Sequence, residues 1–179
     1  MSAGGTDAAF GGGRPPILES GWRWLPLAVG VVAADQLSKG WIERAFALYD
    51  SVPVLPVLDI TRLHNPGAAF SFLAGAGGWQ RWAFTALALG VSVAILVWLR
   101  GVPARSQLAL AAGLALILGG AIGNVLDRIE HGFVVDFIHV HWGRAYFPAF
   151  NVADAAITVG AGLLLLDALL EWRRERSVR

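Results

Sequence analysis

Apolar residues run through this chain in long unbroken blocks, without the alternation of a half-buried strand. Two blocks carry no charge: Trp82 to Leu99, WAFTALALGVSVAILVWL, and Ser106 to Leu126, SQLALAAGLALILGGAIGNVL. A hydrocarbon core about 30 Å thick is crossed by about 20 helical residues, which is the length of these blocks. Two more match with blemishes. Trp24 to Trp41 is apolar until Asp35 and Lys39, and Ala155 to Leu170 is apolar apart from Asp167. Lipid offers no partner to backbone N–H and C=O groups, which favours helices, and the runs lack the alternation of barrel strands. The pattern predicts an all-α membrane protein with four transmembrane helices in one domain.

Composition agrees, with 56% hydrophobic residues, 15% charged and a mean hydropathy of +0.58, far from an ordinary soluble domain. Arginine placement supplies a topology. Arg14 and Arg23 precede the first span, Arg100 and Arg105 lie in the short second connection, and Arg173, Arg174, Arg176 and Arg179 follow the last span. By the positive-inside rule both termini and that connection face the cytoplasm, while the connections Ala45 to Arg81 and Ile129 to Phe150 lie outside. Residues 1–22 read as a flexible cytoplasmic tail without a cleavable signal, 23–171 as the membrane domain, and 172–179 as a basic tail. The absence of cysteine excludes disulfides, thiol nucleophiles and thiolate-bound metals. A net charge of +1 makes no case for a nucleic-acid partner. No internal repeat suggests a transporter built from two halves.

The external connections have strand character. Val52 to Phe72, VPVLPVLDITRLHNPGAAFSF, predicts short strands, with Asn65-Pro66-Gly67 as a turn. Phe133 to Trp142, FVVDFIHVHW, predicts a strand with Val134, Asp136, Ile138, Val140 and Trp142 on one face. Apolar neighbours on that face favour the protonated form of Asp136.

Polar residues in or beside lipid are costly and mark candidate sites. In GGAIGNVLDR, Gly120, Asn124, Asp127 and Arg128 fall within one helical stripe, and Asn124 and Arg128 point toward whatever Asp154 faces. Gly119 and Gly123 form a small-xxx-small pair suited to helix packing. Asp35 and Lys39, four apart, pair on one helical face as a structural ion pair. Ser38 points about 100° away from Lys39, which disfavours a Ser-Lys dyad, although Lys39 with the distant Ser71 stays open. His139 and His141 on one strand face, with His131 or His64, offer a weak metal pattern, and no metal is assigned.

Asp154 stands at the start of the fourth apolar run. Asn151 as N-cap with Asp154 three residues later makes a capping arrangement, and a carboxylate suits the positive end of a helix. That leaves Asp136 on its apolar face unexplained. If the helix terminus favours Asp154 as anion and burial favours Asp136 as acid, the two form an unequal carboxyl pair able to share a proton, activate water and protonate a leaving nitrogen.

The stretches DQLSK (Asp35 to Lys39), NPGAAFS (Asn65 to Ser71), GGAIGNVLDR (Gly119 to Arg128), VVDF (Val134 to Phe137) and FNVAD (Phe150 to Asp154) stand in the order found in the lipoprotein signal peptidases, the type II signal peptidases of bacteria. The chain closely resembles that family across residues 35 to 154. The resemblance implies an aspartyl protease of the bacterial cytoplasmic membrane. Such an enzyme would cut the signal peptide of a prolipoprotein on the amino side of a diacylglyceryl-modified cysteine. It implies Asp136 and Asp154 as catalytic dyad, and Asn65, Asn124, Arg128 and Asn151 as orienting residues. Asp35, Lys39, Asp127 and Gly120 take supporting roles. A small extracytoplasmic sheet with a mobile flap, a site open to globomycin-type inhibitors, no cofactor, and a monomer complete the expectation.

Three other readings make different demands. A proton-conducting bundle needs Asp35, Asp127, Asp136 and Asp154 spread across the membrane depth, whereas three of them cluster toward the outer face. A scaffold needs the polar residues only for helix contacts, and a metallopeptidase using His139 and His141 needs a chelatable metal.

Overall fold

A computed structural model describes residues 14–67 and 77–177. Four long helices are present: α1, Leu25–Ala45; α2, Trp79–Gly101; α3, Leu108–Glu130; and α4, Val152–Ser177. Each coincides with one of the apolar runs and exceeds it at one or both ends. Three of them, α2, α3 and α4, are long and apolar enough to cross a membrane. α1 differs because Asp35, Lys39, Glu43 and Arg44 lie in its second half.

α3 is the central helix and packs against the other three. Its glycines set the approach. A Cβ on Gly119 would lie 2.7 Å from the Ala28 carbonyl of α1, and one on Gly123 would lie 2.7 Å from Asp35 Oδ2. Gly120 faces α4, where a Cβ would collide with the carbonyl oxygen of Ala153. Small residues thus let α1 and α4 close on α3, as expected for helices that lipid cannot drive together by the hydrophobic effect. Leu110, Ala111, Leu114 and Leu118 of α3 pack with Ile95 and Leu99 of α2 and Ala28 of α1 in the core.

At one end of the bundle sits a four-stranded antiparallel sheet of order β1-β2-β3-β4: β1 Ser51–Leu55, β2 Leu58–Asn65, β3 Val134–Trp142 and β4 Ala145–Tyr146. β2 and β3 pair Leu63 with Asp136, His64 with Val135, and Asn65 with Val134. The inner half of β3 is buried on both faces. Val135 and Phe137 pack on Ile42 of α1, whereas Val134 and Asp136 face a cavity. The expected apolar face does not persist along the strand, because Val140 and Trp142 are exposed, Trp142 at 82%. Past β4, Phe150 pairs with β3: its carbonyl accepts from the N–H groups of Phe137 (3.0 Å) and Ile138 (2.8 Å). The chain then enters α4 beside Asp136.

At the opposite end, residues expected in the first flexible tail are structured. Ile17–Glu19 and Gly21–Trp24 form 3-10 turns, Ser20 is fully buried, and Gly21 N–H donates to the Val102 carbonyl at 2.7 Å. Arg100 also holds the Pro15 carbonyl. These partners lie 81 and 85 residues away, beyond the reach of local pattern. α4 likewise continues past Leu170 through the expected basic tail to Ser177. Residues 68–76, which complete the NPGAAFS motif and include Ser71, lie outside the described residues.

Candidate active site

Asp136 and Asp154 come together where β3, the start of α4 and the sheet-side end of α3 meet. Asn151 and Asp154 form the capping box their spacing predicts: Asp154 N–H donates to Asn151 Oδ1 (2.9 Å), and Asn151 N–H donates to Asp154 Oδ2 (3.3 Å). The Asn151 side chain also donates to Asp136 Oδ1 (2.9 Å), so one asparagine touches both aspartates. Asn65, at the end of β2, donates to Asp136 Oδ2 (3.0 Å) while its own Oδ1 holds the Gly67 N–H. Asn124 donates to Asp154 Oδ1 (2.8 Å). Every carboxyl oxygen of the pair therefore has an N–H partner, which satisfies groups that burial would otherwise make costly.

Asp136 is 3% exposed. Burial, reinforced by the adjacent Asp154 charge, pushes its carboxyl up to about 7, against the pull of its asparagine donors and Lys39. The aspartates line a cavity of about 520 Å³ whose other walls are mostly apolar: Val134, Phe147, Pro148, Ala149, Phe150, Ile157 and Val159, with Asn65, Asn124, Arg128 and Thr158. A largely apolar cavity with a few converging polar groups is the usual form of a binding site.

Arg128 lines this cavity and donates to the Asn124 carbonyl (3.2 Å) and the Gly67 carbonyl (3.3 Å). The predicted stripe on α3 therefore divides. Gly120 faces α4, Asn124 and Arg128 face the cavity, and Asp127 turns toward α1 and β3.

Asp35 and Lys39 pair at 2.7 Å, as their spacing predicts, and Asp127 joins Lys39 at 2.9 Å. Ser38 instead bonds the Asp35 carbonyl at 2.8 Å, apart from the Lys39 cluster. Gln36, which the sequence reading missed, donates to Asp127 Oδ1 (2.8 Å) and the Gly123 carbonyl (3.2 Å). Its signal was available: it is a polar residue inside an apolar run. The cavity walls Phe147 to Ala149, Ile157 and Val159 were also missed, since apolar residues in an apolar chain carry no mark.

The histidines lie elsewhere. His139 and His141 pack on Tyr146, His141 meets Asp59 at 3.3 Å, and His64 stacks on Phe133. Burial and the neighbouring Arg62 lower the proton affinity of His64. Among the described residues no three His, Asp or Glu side chains are grouped to hold a metal.

Fold and site thus define a helical membrane protein with a two-aspartate centre, one carboxyl buried and one half-buried, at one end of its bundle. Relatives give that class a family. The family model described as signal peptidase (SPase) II matches residues 27–170. A lipoprotein signal peptidase of Shewanella pealeana is 50% identical over 159 residues, covering 89% of this chain and 93% of the relative. One from Shewanella amazonensis is 53% identical over 150 residues, covering 84% and 89%. A solved bacterial membrane enzyme superposes with a TM-score of 0.74 at 34% identity, covering 84% of this chain and 88% of that one. The chain belongs to the signal peptidase II family.

Proposed function

We propose that this protein is an aspartic endopeptidase of the bacterial cytoplasmic membrane that removes signal peptides from diacylglyceryl-modified prolipoproteins, cutting before the lipidated cysteine. The observation that carries this reading is the Asp136–Asp154 pair, Asp136 buried and Asp154 half-buried, joined through Asn151 on the wall of a largely apolar cavity. The family and its curated relatives supply the substrate class.

The cycle needs only one proton shared by the dyad. With Asp136 protonated and Asp154 ionised, Asp154 takes a proton from water and the resulting hydroxyl attacks the scissile carbonyl carbon. Asp136 gives its proton to the carbonyl oxygen, producing a gem-diol. Collapse passes the Asp154 proton to the amide nitrogen and returns a gem-diol proton to Asp136, while the C–N bond breaks. The dyad ends as it began. Burial of Asp136 keeps its acid form available near neutral pH. Asn65, Asn124 and Asn151 hold the carboxyl groups, and Arg128 is placed to orient the substrate backbone.

All four helices cross the membrane in this reading, α1 with Asp35 and Lys39 turned inward onto α3. Arginine placement puts both termini in the cytoplasm and the sheet outside, and the family resemblance adds a mobile flap over the site. The lipid chains of the substrate stay in the bilayer, each buried methylene contributing about 0.8 kcal/mol to holding it there. The enzyme acts as a monomer, without a cofactor, and globomycin-type peptides compete for the cavity.

The test is cleavage of a purified diacylglyceryl prolipoprotein by wild type, with and without chelator, and by Asp136→Asn and Asp154→Asn. Chelation should leave cleavage intact, and each variant should fold yet lose it by at least about a thousandfold. Turnover retained by either variant refutes the dyad, and loss on chelation transfers the chemistry to a metal.

A further inference from the structure

Lys39 is the one lysine in the chain and is 3% exposed. An ammonium has three N–H donors and no acceptor. Here they meet Asp35 Oδ2 at 2.7 Å, Asp127 Oδ2 at 2.9 Å and Asn124 Oδ1 at 3.0 Å. Each partner continues the chain of contacts. Asp35 Oδ1 accepts the backbone N–H of Ala153 at 2.9 Å, and Asp127 Oδ2 accepts that of Val135 at 3.0 Å. Ala153 immediately precedes Asp154, and Val135 immediately precedes Asp136. The third partner, Asn124, has its oxygen engaged by Lys39 and by Asn151 (3.1 Å), which leaves its NH2 to face Asp154.

We propose that Lys39 is a positioning residue that sets the spacing of the two aspartates: through Asp35 and Asp127 it fixes the backbone beside each, and through Asn124 it fixes the amide that Asp154 meets. This rests on the reading of Asp136 and Asp154 as the catalytic dyad. Lys39 itself is not among the residues lining the cavity, so it acts through its partners. Stability alone is a poor reason for such a group, because well-packed apolar residues often replace a buried ion cluster without loss. Positioning is a better one, since a misplacement of about 1 Å can lower a rate about a hundredfold.

Two variants test this. In Asp35→Asn/Lys39→Met/Asp127→Asn no charge of the cluster is left without a partner, and the carboxamide oxygens can still accept from Ala153 and Val135. Lys39→Arg keeps the charge but presents a planar fork in place of three radiating donors. Thermal unfolding, kcat, KM and the pH dependence of kcat are measured for both, beside wild type and Asp154→Asn. The expected result is a folded protein whose kcat is lower by about a hundredfold, with KM within about threefold of wild type. Its pH profile shifts as well, because carboxyl spacing governs how the pair shares its proton. A kcat within about threefold of wild type in either variant, with an unmoved profile, overturns the proposal. If the triple variant does not fold, Lys39→Arg decides alone. Cleavage by Asp154→Asn, or none by wild type, refutes the dyad itself and is distinguished from failure of the positioning role by these two controls.

Discussion

α2 and α3 are equally long, at 23 residues, and nearly equal in hydropathy, at 2.1 and 2.0, yet only 22% of the apolar stretch of α2 is buried within the protein against 67% for α3. Hydropathy identifies what tolerates lipid and says nothing of which helix is central. Polarity and size make that distinction. α2 buries Thr85 and Ser92, whose hydroxyls are satisfied by carbonyls of their own helix, those of Arg81 and Ala88. The polar side chains of α3, Asn124 and Asp127, bond to other elements, and its glycines admit neighbouring helices. A polar group that depends on another segment fixes that segment's place, whereas one satisfied at home fixes nothing.

The sharpest test of this contrast exchanges one polar residue on each helix. Asn124→Ala strips partners from Asp154, Lys39 and Asn151 together, and kcat should fall by a factor of about 10² to 10³. Ser92→Ala should keep cleavage within about twofold and stability within about 0.5 kcal/mol. Equal effects in a cleavage assay would erase the distinction. The glycines give a second, smaller comparison. Gly120→Ala must push Ala153 away, costing about 1–3 kcal/mol of stability and about tenfold in kcat, while Gly90→Ala on α2 meets nothing within 4 Å and should leave both unchanged. Thermal melts and initial rates of the two variants check this.

The smallest effect is one of pH. In the proposed cycle Asp136 acts in its protonated form, and burial pushes its carboxyl up to about 7, so kcat should fall about tenfold per pH unit above that point. Stability follows the same sign. The folded state binds the proton more tightly than the unfolded chain, so this contribution is complete below the ordinary carboxyl value of 3.8 and is lost as pH rises through about 7. Asp136→Asn should therefore melt above wild type at pH 8 and lose that advantage at pH 4. A melting difference that does not vary with pH would remove Asp136 from the buried, protonatable role.

How much of this was legible depends on the range of each interaction. The four runs announced four helices because lipid compatibility is a local property. The capping box of Asn151 and Asp154 and the pair of Asp35 and Lys39 were legible for the same reason, each lying within one helical turn. What escaped was the third corner of the ion cluster. Asp127 sits 88 residues beyond Lys39 in a different helix, and no periodicity connects them. The buried state of Asp136 was anticipated from apolar neighbours along its strand, but the outer ones, Val140 and Trp142, are exposed. The inner neighbour, Val134, is buried as expected, and Phe150, which pairs with β3, lines the same cavity as Asp136. The segment at Gly21 was misread for a related reason, since its N–H finds the Val102 carbonyl 81 residues away, where no local pattern reaches.

One quieter contact ties the membrane to the chemistry. Arg62 on β2 donates to the carbonyls of Glu43 and Phe46 at the end of α1, at 3.1 and 3.0 Å, and so joins that helix to the strand that ends in Asn65. A bilayer thinner than the protein's apolar belt is accommodated by tilting its helices. On the proposed function, with α1 in the bilayer and clipped to β2, a tilt of that helix would be carried to the asparagine on Asp136, and lipid chain length would become a variable of the reaction as well as of the solvent.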